Sequence, residues 1–372
     1  MFSYLQLTPG EPAPWFTLPA PSTPTYALDT TAGRYLLLCF FVSASGPHFA
    51  PRMQAVLARP DLFNDGFAAF FGISADPRDQ EGRLQNRLPG YRFLWDNALS
   101  AARLYGVTPR ESAQPGQGLR PLWALMDPTM RMIGVIPFEQ DGSDIARVIS
   151  LLESQPAPDR FAGMRLQAPV LCLPRVFEPD LCENLIARYE AGGGELSGTM
   201  RQIGGKTVGI NDLRFKSRRD CDITDQAMIA RIQSAITRRV LPEIRKVHQF
   251  HATRMERYIV SCYDAAEGGH FSAHRDNTTS GTAHRRFAIS INLNADFDGG
   301  EVSFPEYGPE GLKAPPGGAV VFSCSLLHRV SPVTRGRRYA FLPFVYDDTA
   351  AKIREANLSS IVAAAPAISD GG

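Results

Sequence analysis

Several things are missing from this sequence, and each absence narrows the function. No apolar run is long enough to cross a bilayer; the longest, "YLLLCFFV" at 35–42, has the length of a buried strand. Neither sign of charge dominates, with 39 Lys and Arg against 38 Asp and Glu and no basic stripe, which argues against nucleic acid or an anionic membrane as a partner. The opening "MFSYLQLTPGEPAP" lacks a basic region followed by an apolar one, so no secretory signal is expected and a cytoplasmic location follows by default. Cysteine is sparse: Cys39, Cys172, Cys182, Cys221, Cys262 and Cys324 form no Cys-x-x-Cys pair and no zinc-like spacing. A disulfide framework is therefore not expected, and most of these thiols read as small buried hydrophobes. No internal repeat is found.

What is present is ordinary globular material, 372 residues with 44% apolar side chains, a length that suggests two domains. Residues 1–155 interleave strand-like runs ("YLLLCFFV", "FAAFFGISAD", "RFLWD", "PLWALMDPTMRMIGVIPF") with helix-like stretches ("PRMQAVLARPDLF", "DQEGRLQNRL", "ALSAARLYGV"), the pattern of an α/β sheet. The Pro-rich polar stretch "ESQPAPDRFAG" marks a linker, placed at 156–164. Beyond it a short strand runs into a helix opened by Pro179 and Asp180 and stopped by glycines, and "TDQAMIARIQSAITRRVLPEIRKV" at 224–247 reads as one further helix. From Arg254 short apolar runs alternate with Gly, Pro, Asn and Asp, which predicts a β sandwich or barrel over 165–348 with flanking helices. The tail, 349–372, weakens into "AAAPAISDGG" and is expected to fray.

The chemistry gathers in the second half. In "HFSAHRDN" at 270–277, His274 and Asp276 stand two apart on a predicted strand, so both side chains can converge on one point. About fifty residues later His328 closes "AVVFSCSLLH" at the lip of the same predicted barrel. Two imidazoles and a carboxylate can form a facial triad for Fe(II) with open positions opposite. Ten positions further on, Arg338 begins "RYAFLPF", and its planar fork suits a carboxylate co-substrate. In "RRFAISINLN", Phe287, Ile289, Ile291 and Leu293 share one face, while Ala288, Ser290 and Asn292 share the other, which is expected to look toward the metal.

The segment from Tyr258 to Tyr346 resembles the catalytic core of the 2-oxoglutarate and Fe(II)-dependent dioxygenases of the prolyl 4-hydroxylase type. The matching pieces are "CYDAAEGGHFSAHRDN", "ISINLN" with "DGGEVSFPEYG", "PPGGAVVFS" and "LLHRVSPVTRGRRYAF", and a looser likeness reaches back to "VLCLPRVFEPDLCENLI". The resemblance implies a double-stranded β-helix (jelly-roll) with His274, Asp276 and His328 as metal ligands and Arg338 holding the distal carboxylate of 2-oxoglutarate. It also places Tyr263 and Asn292 at the co-substrate pocket; Asn292 stands where relatives often carry a tyrosine. The implied reaction decarboxylates 2-oxoglutarate to succinate and CO2 and hydroxylates an unactivated C–H bond, with ascorbate as a reductant the family admits. Asp276 argues against halogenation, for which relatives carry a small residue there. Arg337 is the rival of Arg338, since alternation lets only one face inward. His270, in the same loop, reads first as a solvated side chain; His248, His251 and His284 have no partner motif; Tyr258 faces the cavity only in another strand register.

The first half resembles the peroxiredoxin branch of the thioredoxin fold, in "TPGEPAPWFTLP", "GISADPRDQ", "FLWDNALSAARLYGV" and "RPLWALMDPTMRMIGV". That family keeps a reactive cysteine after the first long strand, where a helix N-terminus activates the thiol. Here the stretch reads "SASGPHFAPRM". Arg120 matches an active-site arginine, Cys39 lies inside the strand where a thiol would be inert, and the resemblance implies a module without peroxidase chemistry that pairs into a homodimer. The expectation is thus a two-domain enzyme: an α/β thioredoxin-like domain, then a mainly β oxygenase domain whose substrate is a prolyl residue in a peptide or protein, or a small amino-acid-like molecule. The alternatives are a non-catalytic binding or scaffold protein and a thiol peroxidase using Cys39. Substrate selection is expected to involve "GGGELSGTMRQIGGKTVGINDLRFKSRRD" at 192–220, whose basic residues suit an anionic or peptide partner.

Overall fold

The protein is seen here as a computed structural model, which describes residues 3–21, 23–111 and 117–362. The chain divides into two compact units, Met1–Gln167 with Pro305–Pro309, and Ala168–Phe304 with Glu310–Gly372. No helix among the described residues is long and apolar enough to cross a membrane.

The first unit is built on the apolar run that stood out in the sequence. Tyr35–Phe41 is buried at every position and takes the centre of a five-stranded sheet. A strand covered on both faces reads as a continuous apolar run. Ala68–Ser74 and then Tyr91–Trp95 lie beside it in parallel, while Leu122–Met126 and Met132–Pro137 continue antiparallel on the other side. The helices Phe49–Leu57 and Ser143–Glu153 bury Val56, Val148 and Leu152 against one face, giving a thioredoxin-like α/β layer. The helix expected over "DQEGRLQNRL" does not form. Only a short 3-10 turn, Pro77–Gln80, overlaps its start, and Gly82 takes a φ of +88° that breaks helical continuity.

The second unit is a double-stranded β-helix. Its larger sheet runs in the order Arg254–Glu256, Phe344–Tyr346, Phe287–Asn292, Val333–Phe341, Ile259–Asp264, Arg219–Asp222 and Glu195–Leu196, with Ala319–Ser323 and Leu171–Leu173 branching from Phe287–Asn292. Its smaller sheet orders Lys216–Ser217, His270–His274, His328–Val330, Val302–Ser303 and Gly311–Leu312. Every pairing in both sheets is antiparallel. Phe287, Ile289, Ile291 and Leu293 turn outward from the barrel into a core shared with Leu181, Leu185, Ile232 and Ile244 of the flanking helices. Ala288 and Ser290, on the opposite face, line the cavity between the sheets.

Two helical expectations are corrected. The single helix over 224–247 is two, Gln226–Arg239 and Leu241–His248, because Pro242 has no N–H to continue the ladder. The tail does not fray from its start: Asp347 caps a helix, Asp348–Asn357, by accepting from the Ala350 N–H. The stretch 363–372 lies outside the described residues.

Candidate active site

His274 ends one strand of the smaller sheet and His328 begins its antiparallel neighbour, so the two residues are direct cross-strand partners. Asp276 follows His274 by two residues, and its backbone N–H donates to the Cys324 carbonyl. Ligand atoms of all three side chains lie within 4.8 Å of one another. His274 Nε2 is 3.6 Å from Asp276 Oδ1, and His328 Nε2 is 3.4 Å from Asp276 Oδ2. Each ring is oriented from behind, with His274 Nδ1 2.8 Å from the Ser272 carbonyl and His328 Nδ1 3.0 Å from the Leu326 carbonyl. A carbonyl can only accept, so Nδ1 carries the proton and Nε2 is left with a lone pair toward the centre. Phe271 stacks on the His274 ring and Phe322 packs on that of His328, which fixes both planes.

The charge states suit a cation. Burial, reinforced by repulsion from His274, holds the His328 imidazole down at about 4, so it is neutral at ordinary pH. Burial alone would raise the Asp276 carboxyl, but His328 and His274 outweigh it and hold it well below the carboxylate range. Neutral imidazoles and an ionised carboxylate are the forms that bind metal.

All three line a cavity of about 350 Å³ between the two sheets. Arg338, 1% exposed, lines the same cavity from the larger sheet. Its Nε donates to Asn292 Oδ1 at 2.9 Å and its Nη2 to Ser290 Oγ at 2.8 Å, while Nη1 is buried without a partner. A guanidinium fixed along one edge with a free donor is shaped to receive a carboxylate oxygen. The approach depends on the Gly-Gly-Glu turn: Gly299 and Gly300 have φ of +73° and +68°, and a Cβ on Gly300 would lie 3.0 Å from Arg338 Cδ.

Residues 258–346 match the 2OG-Fe(II) oxygenase superfamily. That segment is a 2OG-Fe(II) oxygenase domain. Among curated relatives, a PKHD-type hydroxylase of Synechococcus sp. (strain JA-2-3B'a(2-13)) is 34% identical over 94 residues, 23% of this chain and 41% of the relative. The chain thus spans about two fifths of that relative's length. Among solved structures, a prolyl hydroxylase from Trichoplax adhaerens in complex with a hypoxia inducible factor peptide fragment aligns with TM-score 0.40 and 15% identity, covering 53% of this chain and 93% of the other. Peroxidoxin BcpB from Mycobacterium tuberculosis aligns with TM-score 0.34 and 20% identity, over 41% of this chain and 100% of the other. Oxygenases of the matched superfamily use Fe(II) and 2-oxoglutarate, and the donor set above fits both.

The remaining candidates fall on either side of the oxygenase cavity. Tyr263 lines it, fully buried, with its ring 5.2 Å from the Arg338 guanidinium and its hydroxyl 3.3 Å from Arg218 Nη1. Asn292 does not line it: its Oδ1 holds Arg338 and its Nδ2 donates to the Ala314 carbonyl, so it stands behind the guanidinium. Arg337 points outward to Asp264 at 2.7 Å. His270 spends both ring nitrogens on the carbonyls of Gly268 and Arg214, and Tyr258 accepts from Gln233 on the outer side. His284 is buried beside Glu256, which also pairs with Arg285.

Sequence reasoning pointed to the basic residues of 192–220 only as a group; it did not place Lys216 and Arg218 in the cavity, nor join Arg257 to them around the carboxylate of Asp220. The signal was there for two of them: in "KSRRD" Lys216, Arg218 and Asp220 alternate at the period of a strand. Arg257 carries no such local mark. In the first unit, Cys39 is 3% exposed and burial pushes its thiol far up. Arg52, from the helix after the stretch that lacks a cysteine, is buried against Asp144 and Trp123 bonds the same carboxylate. Arg120 lies over the Tyr4 ring and donates to the Gly106 carbonyl.

Proposed function

We propose that this protein is an Fe(II)- and 2-oxoglutarate-dependent dioxygenase that hydroxylates an unactivated C–H bond of a prolyl residue or a small amino-acid-like substrate, with release of succinate and CO2. The observation that carries it is the convergence, in one cavity, of the His274–Asp276–His328 triangle and the unpartnered Nη1 of Arg338. His274, Asp276 and His328 would hold the metal through two imidazole nitrogens and a carboxylate oxygen, leaving further positions open. Arg338, held by Ser290 and Asn292, would take the distal carboxylate of 2-oxoglutarate, with Tyr263 as the wall beside it. Bound Fe(II) and 2-oxoglutarate supply the oxidising chemistry. The chain's own part is to orient these groups and keep the pocket dry, through Phe271, Phe322 and Val330 around the metal ligands.

By resemblance we extend the proposal to ascorbate as reductant, to a cytoplasmic location and to a homodimer through the thioredoxin-like unit. The buried, raised Cys39 thiol weighs against a thiol peroxidase. The test is succinate release from 2-oxoglutarate with Fe(II) and oxygen, screened over prolyl peptides and free amino acids, against Asp276→Ala as control. Substrate-stimulated succinate that disappears in the variant is the expected result. A folded, iron-loaded protein that forms none with or without candidates contradicts the proposal.

A further inference from the structure

Asp276, a proposed metal ligand, is the one carboxylate among the described residues that lines the cavity, against Lys216, Arg218, Arg257, Arg275, Arg285 and Arg338. Arg285 is answered by Glu256 at 2.7 Å, Arg275 donates to the Ser325 carbonyl, and Arg338 is the residue assigned to the co-substrate. Lys216, Arg218 and Arg257 are left sharing one acid. Asp220 Oδ2 takes Arg218 at 2.7 Å and Arg257 at 3.3 Å, and its Oδ1 accepts from Ser261. Lys216 reaches that acid only through Ser197, whose Oγ takes its ammonium at 2.7 Å and itself donates to Asp220; the ammonium also donates to the Gly198 carbonyl at 2.7 Å and lies 4.9 Å over the Phe271 ring, so its third hydrogen has no oxygen acceptor. Arg218 Nε is likewise buried without a partner.

Lys216 and Arg218 are 6% and 4% exposed, so water does not screen the imbalance. The imbalance shows at two of the three: burial and then the charge of Arg218 depress Lys216 well below its ordinary value and bring Arg257 to about 10, whereas Asp220 and Tyr263 outweigh burial and raise Arg218. A fold that needed only a structural ion pair would be served by Asp220 and one cation. Three cations around one acid, facing a cavity with spare donors, are arranged for an anion from outside. Ser290 and Asn292 bond Arg338 and no member of this group, while Tyr263 stands between the two, its hydroxyl 3.3 Å from Arg218 Nη1 and its ring 5.2 Å from the Arg338 guanidinium, so the cluster adjoins the anchor of the co-substrate on one side.

We infer that Lys216, Arg218 and Arg257 receive a carboxylate of the molecule to be hydroxylated, so that the substrate is a small carboxylic acid of the amino-acid kind rather than an interior residue of a polypeptide. The inference rests on the proposed function, and it chooses between the two substrate classes named there. An interior prolyl residue offers only neutral amides at this depth. A free acid brings the missing charge, and the donors of Lys216 and Arg257 meet it from the smaller sheet and from the chain just before Ile259–Asp264.

The test is calorimetric, on the full-length protein with Fe(II) under argon and saturating 2-oxoglutarate. The probes are matched pairs: L-proline and L-prolinamide, N-acetyl-L-proline and its amide, N-acetyl-L-leucine and its amide, with inorganic phosphate as a separate anion. At least one acid is expected to bind about tenfold or more tighter than its amide. In Lys216→Met and Arg257→Gln that preference is expected to shrink to about threefold or less, with 2-oxoglutarate affinity within about twofold of the parent. Arg218 is left intact because its loss would strand Asp220. No preference for acid over amide, including no binding of either, overturns the inference. So does an equal loss of 2-oxoglutarate affinity in both variants, or phosphate binding tighter than every carboxylate. Because 2-oxoglutarate is titrated separately, a protein that takes the acids and not 2-oxoglutarate contradicts the dioxygenase proposal and leaves the carboxylate site standing.

Discussion

Replacing Arg338 with glutamine isolates the contact that links the cavity to a particular co-substrate. The guanidinium is 1% exposed, pinned by Asn292 and Ser290, and has Nη1 free. Truncating one partner of a buried, charge-assisted pair with a carboxylate costs ~2–5 kcal/mol. The glutamine amide can return one neutral hydrogen bond worth ~1 kcal/mol, so the lower part of the range applies, and 2-oxoglutarate affinity is expected to fall about 30- to 300-fold. Pyruvate is the internal control, because it shares the 2-oxo acid end and lacks the distal carboxylate. Its affinity is expected to stay within about twofold, the logic of a double-mutant cycle applied to a ligand. Without co-substrate the variant loses two hydrogen bonds worth ~1 kcal/mol each but also a desolvated cation, so its urea midpoint is expected to move little. The assay is calorimetry with Fe(II) under argon. A 2-oxoglutarate affinity within about threefold of the parent, or equal weakening of 2-oxoglutarate and pyruvate, refutes the assignment of Arg338.

Three further outcomes follow from buried groups elsewhere. Brief iodoacetamide treatment of the native protein is expected to label the exposed Cys172 and spare Cys39, which becomes reactive only in denaturant; peptide mass spectrometry reads the order, and early labelling of Cys39 would revive thiol chemistry. Asp144→Asn removes a carboxylate that accepts from Arg52, Trp123 and the Glu139 N–H. Leaving Arg52 buried and unpaired is expected to destabilise the first unit by ~3–5 kcal/mol in urea unfolding, and a change below about 1 kcal/mol would contradict this account of the pair. Burial alone would raise Glu256, but His284 and Arg285 outweigh it and hold it at about 2 against an ordinary 4.5. The unfolded chain therefore binds the proton first, so this stabilisation is complete above about pH 4.5 and is lost as pH falls toward 2. Glu256→Gln is expected to flatten that acid limb of the urea midpoint, and an unchanged limb would count against it.

What could be read from the chain followed the periods of its elements. Arg338 obeys the alternation of its strand, but Asp276 lies in the turn beyond the strand that His274 ends, and His328 opens a new strand rather than closing Ala319–Ser323; the structure brings all four to one cavity. The same alternation separates the packing face of Phe287–Leu293 from Ala288 and Ser290. What escaped was set by distant parts of the chain. Asn292 could be put on the inner face, but that it holds Arg338 from behind depends on the Ala314 carbonyl taking its amide. Arg257 meets Arg218 only through Asp220, across a pairing of segments far apart in sequence. Pro242 lies inside a helical pattern whose apolar spacing continues past it, and Gly82 interrupts a helix-like run whose composition alone favours continuation.

The most direct measurement is an optical titration of Fe(II) and 2-oxoglutarate under argon into the full-length protein and into Asp276→Ala. One equivalent of each ligand is expected to raise a weak visible charge-transfer band in the parent protein and none in the variant. A folded parent protein that takes up iron and shows no band, or a variant that gives the same band, would contradict the claim that His274, Asp276 and His328 together hold the metal beside an Arg338-bound diacid.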